Sequence, residues 1–141
     1  METICIFQLN DLYPGLENNP VFLTTYGKAL SLSGHYQESI NVLEKAVSRQ
    51  PLSISYIEFG KCYEATGLHE KALACWKQAN WTVPSRFTPL YLTMQLHFKN
   101  KEYNLAKEYA QQIINKKIKI DNPEIDQILK ESKDIKNFHP P

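Results

Sequence analysis

One pattern is written twice in this chain. Laid over each other at a constant offset of 33, residues 23–51 and 56–84 match in kind at nine landmarks. Leu23 meets Tyr56, Tyr26 meets Phe59, Gly27 meets Gly60 and Leu30 meets Tyr63. Gly34 then meets Gly67, Ser39 meets Ala72, Leu43 meets Trp76, Ala46 meets Ala79 and Pro51 meets Pro84. A period in the thirties that carries two helical stripes is the signature of a helical solenoid. Glycine inside a helix costs roughly 1 kcal/mol relative to alanine, so Gly27 and Gly60 imply a helix pressed against bare backbone. Ser39 and Ala72 are small enough to sit on the facing side.

Large–Leu–Gly–Tyr on a first helix and Ala–Phe–Ala–Pro on a second is a pattern that resembles the tetratricopeptide repeat. The resemblance implies an all-α, right-handed superhelix of about three helix–turn–helix repeats with a flanking helix at each end. Residues 1–19 read as a leading helix, with Ile4, Phe7, Leu9, Leu12 and Tyr13 on one stripe and Tyr13–Pro14–Gly15 ending it. In the repeat register it is the second half of a pair, which points to a domain cut from a longer parent. Repeat 1 spans 20–52, with Asn19 as N-cap, Pro20 at the first helical position and Gly34 as left-handed terminator. Repeat 2 spans 53–86.

The third repeat, residues 87–120 with its connector, is degenerate. Tyr103, Ala106, Ala110 and Ile113 keep the second-helix pattern. Met94 stands where the others have Gly, which implies a wider helix spacing, and Asn100 is expected to take the left-handed turn. Residues 117–121 alternate charge with Ile and suggest a short extended connector. Residues 121–141 then form a capping helix, with Ile125, Ile128, Leu129 and Ile135 as its apolar stripe, and a frayed tail from Phe138.

Composition excludes more than it selects. The formal net charge is +1, so no general attraction to nucleic acid or anionic membrane is expected. The Lys99–Lys101 and Lys116–Lys119 clusters read as solvated helix ends. Cys5, Cys62 and Cys75 lack metal-site spacing and read as buried free thiols, which leaves the compartment open. No segment approaches the ~18 apolar residues that span a bilayer, so direct membrane insertion by this chain is not expected. His35, His69, His97 and His139 are scattered, and no phosphate-binding loop, nucleophile–base pair or metal set is legible. The reading is a non-enzyme without cofactor or metal. Trp76 and the tyrosines fall in core register.

What remains is a binding surface for a protein or peptide. In the repeat family the first helices line the concave face, and the resemblance places partner contacts at Thr24, Lys28 and Ser31, then Ile57, Lys61 and Glu64, then Tyr91, Gln95 and Phe98. Ile57, Tyr91 and Phe98 are expected to be exposed and to favour a groove. Lys28 and Lys61 are expected to present paired positive charge. The carboxylate-clamp subtype is set aside, because Lys28, Thr88 and Leu92 stand where its ligating Asn and cations belong. The stretch Trp81–Thr82–Val83–Pro84–Ser85–Arg86–Phe87–Thr88–Pro89, with Ala106–Ala110, Lys116–Ile120, Pro123 and Ile128 after it, resembles the repeat-bearing C-terminal tails of O-antigen ligase or polymerase proteins of Bacteroides-type bacteria. That resemblance implies an accessory module, tethered to a membrane protein of surface-glycan assembly, with Arg86 as a junction contact or as a pairing residue within its own turn. The alternative is a stand-alone scaffold or co-chaperone that binds extended peptides.

Overall fold

The structure, a computed structural model, describes residues 2–119 and 121–141, and the side chains of all of these except residues 2–5 and 7. Ile4 and Phe7 of the first stripe, the Cys5 thiol and Ile120 of the connector therefore lie outside the described set. Among the described residues every regular element is an α-helix: α1 (Glu2–Leu16), α2 (Pro20–Leu32), α3 (Tyr36–Arg49), α4 (Ser53–Ala65), α5 (His69–Thr82), α6 (Thr88–Lys99), α7 (Tyr103–Ile114) and α8 (Pro123–Lys136). The chain is all-α and built from helix–turn–helix pairs. It divides into two compact units, Met1–Val83 and Pro84–Pro141.

In the first unit Gly27 of α2 and Gly60 of α4 are closed over by large side chains. A Cβ at Gly27 would lie 2.5 Å from Leu43 Cγ, and one at Gly60 would lie 2.3 Å from Trp76 Nε1. Leu43 and Trp76, both nearly inaccessible to solvent, are thus the true fillers of the close approach. Ser39 instead ties the helices together by donating its hydroxyl to the Gly27 carbonyl at 2.6 Å. Trp76 Nε1 likewise donates to the Ile57 carbonyl at 3.3 Å, so the indole satisfies its polar end while filling the hole.

The leading helix does not stop at Tyr13–Pro14–Gly15. It runs to Leu16 with Pro14 inside it. Proline removes one backbone donor, but Tyr13 packs its ring against Phe22 at 6.3 Å and Tyr26 at 5.7 Å. Asn10 accepts a hydrogen bond from the Tyr26 hydroxyl at 2.5 Å. Those contacts hold the last turn in place. Tyr13 and Leu9 then pad the cluster of Phe22, Leu23, Tyr26, Leu30 and Ala46.

The second unit inverts the packing. Met94 is fully buried, and so is Ala110, which stands in the register of Trp76; both belong to one core cluster with Phe87, Leu90, Ile113 and Ile128. At the register of Gly60 and Trp76 the volumes are exchanged, with a large side chain on the first helix and a small one on the second. Helix α8 completes that cluster with Ile128, Ile125, Leu129 and Ile135. Residues 115–119 lead to it without regular structure. The tail is less frayed than expected: Phe138 packs edge-on to Phe98 and tilted against Tyr103, each at 5.0 Å.

The three turns within helix pairs, α2–α3, α4–α5 and α6–α7, share one geometry. His35, Leu68 and Glu102 each donate a backbone N–H to the carbonyl five residues earlier, at 2.9 Å in every case. This six-to-one closure needs a left-handed residue just before the donor. Gly34 and Gly67 supply it at φ 82° and 79°, and Lys101 supplies it at φ 63°. The left-handed residue is therefore Lys101, while Asn100 keeps an ordinary φ of −83°.

Candidate docking surfaces

Each first helix carries its proposed contact positions on the same stripe, and the two units treat them differently. In the first unit Thr24 is only 5% exposed and is consumed by structure. Its hydroxyl donates to the Pro20 carbonyl at 2.8 Å and meets the Ser55 hydroxyl at 2.7 Å, which stitches α2 to α4. Ile57 is 6% exposed, in core rather than on an open face. Thr24 and Ile57 therefore leave the set of available contact residues. The reason is shared: between neighbouring first helices, the inward stripe is used for packing one repeat on the next.

Lys28 and Lys61 remain accessible, but they do not present an unopposed pair of positive charges. Glu58, on α4 between them, lies 3.9 Å from the Lys28 ammonium and 3.4 Å from that of Lys61. The net charge of the group is +1, and exposed pairs of this kind hold only ~0.2–1 kcal/mol each. Ser31 and Glu64 are partly exposed at the far end of the same helices. Glu58 is invisible to repeat-register reasoning because its position does not recur as an acid in the first helix of the other repeats.

In the second unit α8 lies beside α6 and engages the predicted residues directly. The Tyr91 hydroxyl donates to Glu131 at 2.5 Å, and the Gln95 amide donates to the same carboxylate at 3.4 Å. Gln127 donates to Glu131 as well, at 2.9 Å. Donation from Gln127, then from Tyr91, holds the Glu131 carboxyl below the ordinary range; partial burial opposes this, and Gln95 adds to it. Burial first, and the carboxylate second, push the Tyr91 phenol up to about 12. Below this network Gln95, Phe98, Lys99, Glu131, Asp134, Ile135 and Phe138 line an open, largely apolar groove of about 440 Å³.

Arg86 sits elsewhere in this unit, at the mouth of a separate cleft of about 450 Å³ with Ser85, Phe87 and Thr88 from the start of α6. Lys117, Lys119, Asn122, Glu124, Ile125 and Ile128 line its other side. The Arg86 side chain neither caps the junction turn nor pairs with an acid among the described residues. Lys117 and Lys119, read from sequence as a plain solvated helix end, belong to the same cleft.

Among the described residues no group of three or more His, Cys, Asp or Glu side chains could hold a metal ion. Cys62 and Cys75 are free thiols, and burial pushes the Cys75 thiol up to about 11, far from a reactive thiolate at neutral pH. His97 is buried, stacks on Tyr109 at 5.5 Å and faces Glu102 at 3.5 Å. It occupies the register of Leu30 and Tyr63, as a core residue. No helix among the described residues is long and apolar enough to cross a membrane.

Comparison with known proteins agrees with this architecture. No curated protein matches the sequence. Among solved structures, the crystal structure of MamA protein is similar with a TM-score of 0.68 at 18% identity, covering 94% of this chain and 73% of that one. At that identity the likeness shows the fold alone. Residues 22–51, which contain α2 from its third residue, the Gly34 turn and α3, match the tetratricopeptide repeat family. The chain thus carries a tetratricopeptide repeat at residues 22–51, within an all-helical fold that reuses the same helix–turn–helix unit along its length.

Proposed function

We propose that this chain is a protein–protein docking module whose first-helix face receives an extended or helical segment of a partner. The observation that carries this reading is the groove of about 440 Å³ around Phe98, Ile135 and Phe138, with Gln95, Lys99, Glu131 and Asp134 at its rim. It combines an apolar floor with few, oriented polar groups, which is the anatomy of a recognition site. Lys28, Ser31, Lys61 and Glu64 form the corresponding surface of the first unit, with Glu58 as its acid. Tyr91 serves this site by holding Glu131 in position.

The test is site-specific photocross-linking in the native host, with a photoreactive residue at Ser31 or Gln95 and, for comparison, at Lys77 or Glu108 on the second helices. A discrete adduct from the first-helix positions, lost on Phe98→Ala, is the expected result. Adducts from Lys77 and Glu108 alone would place docking on the other face. Truncating a hot-spot aromatic costs ~2 kcal/mol or more, so Phe98→Ala should weaken capture at least about thirtyfold.

A narrower reading, an accessory module of an O-antigen ligase-like membrane protein, is supported by the junction Val83–Pro84–Ser85–Arg86–Phe87–Thr88–Pro89. Apolar segments of ~20 residues encoded upstream in the same reading frame would support it. A frame that begins at Met1 would favour the stand-alone scaffold.

A further inference from the structure

We propose that the cleft between the starts of α6 and α8 is a second docking point, which takes an acidic segment of a protein partner carrying a large apolar residue beside its carboxylate. The proposal rests on the docking reading above for the class of partner, and on separate residues for the site.

Three cations, Arg86, Lys117 and Lys119, line the cleft against one acid, Glu124. None of the three has an ion-pair partner among the described residues, whereas Lys28 and Lys61 of the first unit share Glu58. The floor beneath them is apolar, made of Phe87, Ile125 and Ile128, of which Phe87 and Ile128 are buried. The arrangement is held in place by Lys116. Its ammonium donates to the Pro84 carbonyl and lies 5.7 Å from the centre of the Phe87 ring, which ties the connector to the junction. Lys117 and Lys119 are thereby kept on the side of Arg86. The helix start at this cleft adds to the effect. No side chain caps α6, whose N-cap residue is Phe87, while α8 is capped by Asn122. Pro89 contributes no amide to this first turn, which leaves the Thr88 and Leu90 N–H groups and the helix dipole to favour a carboxylate.

Charge partition supports an acidic partner. The overall +1 conceals six Lys and Arg against eight Asp and Glu in residues 1–83, and ten against seven in residues 84–141. The second unit is thus the basic one, and three of its ten Lys and Arg residues line this one cleft. A nucleic acid or an anionic bilayer is favoured by cations spread over a face tens of ångströms long. A cleft of about 450 Å³ with an apolar floor instead accommodates two or three side chains. Arginine with two flanking lysines supplies charge-assisted hydrogen bonds to one carboxylate, and the floor takes the neighbouring side chain.

The experiment uses the full chain. Random heptapeptides displayed on phage are selected on it, and the enriched sequences are synthesised, labelled and titrated by fluorescence anisotropy. The expected result is enrichment of Asp or Glu next to Leu, Ile or Phe, with affinity falling about tenfold or more in Arg86→Gln/Lys119→Gln. Ile125→Ser should weaken the same peptides, while Lys133→Gln, an equal charge change per site outside the cleft, should leave them unaffected. Arg86 and Lys119 are exposed, so the variants should keep the wild-type circular-dichroism melt. Shift perturbation of ¹⁵N-labelled protein by the peptide should centre on Arg86, Phe87, Lys117 and Ile125. Affinity insensitive to Arg86→Gln/Lys119→Gln overturns the proposal, as does selection of no acidic peptide. So does displacement of the peptides by phosphatidylglycerol vesicles at lower concentration than by free peptide. Peptides lost on Phe98→Ala but not on Arg86→Gln would overturn the cleft and leave the groove standing. Absence of first-helix cross-links would remove the groove independently of this result.

Discussion

The pairs α4–α5 and α6–α7 have the same topology, the same turn hydrogen bonds and nearly the same register, yet their cores are filled from opposite sides. In α4–α5 the first helix contributes nothing at Gly60 and the second contributes Trp76. In α6–α7 the first helix contributes Met94 and the second retreats to Ala110. Their turns differ in the same spirit, with Gly67 in one and Lys101 in the other taking the left-handed conformation. A repeat therefore keeps the volume between its helices and the hydrogen bonds at its turn. The residue that supplies either one is free to change.

The largest effect should come from removing the helix that only the second pair relies on. Deleting residues 123–141 strips Ile125, Ile128, Leu129 and Ile135 from the α6–α7 core. The truncated protein should self-associate and lose the unfolding transition of its second unit. Light scattering together with differential scanning calorimetry measures both, and a monomer of unchanged melt would show that α8 is dispensable.

Next in size is Met94→Gly. Because Met94 is fully buried, the substitution leaves a cavity and should cost about 3–5 kcal/mol, transfer and cavity terms together. It should exceed Gly60→Leu, for which overpacking against Trp76 costs about 1–3 kcal/mol. The decisive variant is Met94→Gly with Ala110→Leu, which copies the Gly27–Leu43 arrangement. Urea denaturation should show the double variant recovering at least about half of the loss. Strict additivity would mean the two positions do not exchange volume.

A smaller, pH-dependent effect separates the units further. Glu131 has a lowered pKa in the folded state, so its contribution is present above the ordinary glutamate range and is lost as pH falls through the depressed value. Tyr91 has a raised one, so its contribution is complete below the ordinary tyrosine value of 10.0 and is lost as pH rises toward about 12. Tyr91→Phe should reduce the acid and alkaline sloping of stability together. Equal slopes in wild type and variant, measured by melts across the two ranges, would place the pH dependence elsewhere. Tyr26 and Tyr63, also raised chiefly by burial, set the alkaline baseline in the first unit.

The smallest change should be a gain. Lys101→Gly relieves a side chain held at φ 63°, worth about 1 kcal/mol, and the reverse change Gly67→Lys should cost about as much. Thermal melts of the two variants moving in the same direction would refute the equivalence of the turns.

The all-helical class, the two-helix unit and its period are legible in the residues alone, because packing one repeat on the next demands the same residue kinds at the same spacing. Gly34, Gly67, Ala46, Ala79 and the Asn19–Pro20 and Asn122–Pro123 helix starts all carry local physical meanings that need no tertiary context. How each face is used was settled only in three dimensions. Thr24 and Ile57 share a stripe with Lys28 and Lys61, yet the first two are spent on packing while the latter remain open. Which of them is spent depends on how far the neighbouring helix overlaps, a distance no single helix encodes. The same holds for Glu58 between two lysines, for Glu131 beside Tyr91, and for Pro14 carried inside α1 by aromatic contacts from α2. It also holds for the cleft at Arg86, whose lysines lie about thirty residues further along the chain and meet it where Lys116 binds the Pro84 carbonyl and Phe87 packs with Ile113 and Ile128. Periodicity encodes what recurs between repeats, and these contacts join residues that do not recur.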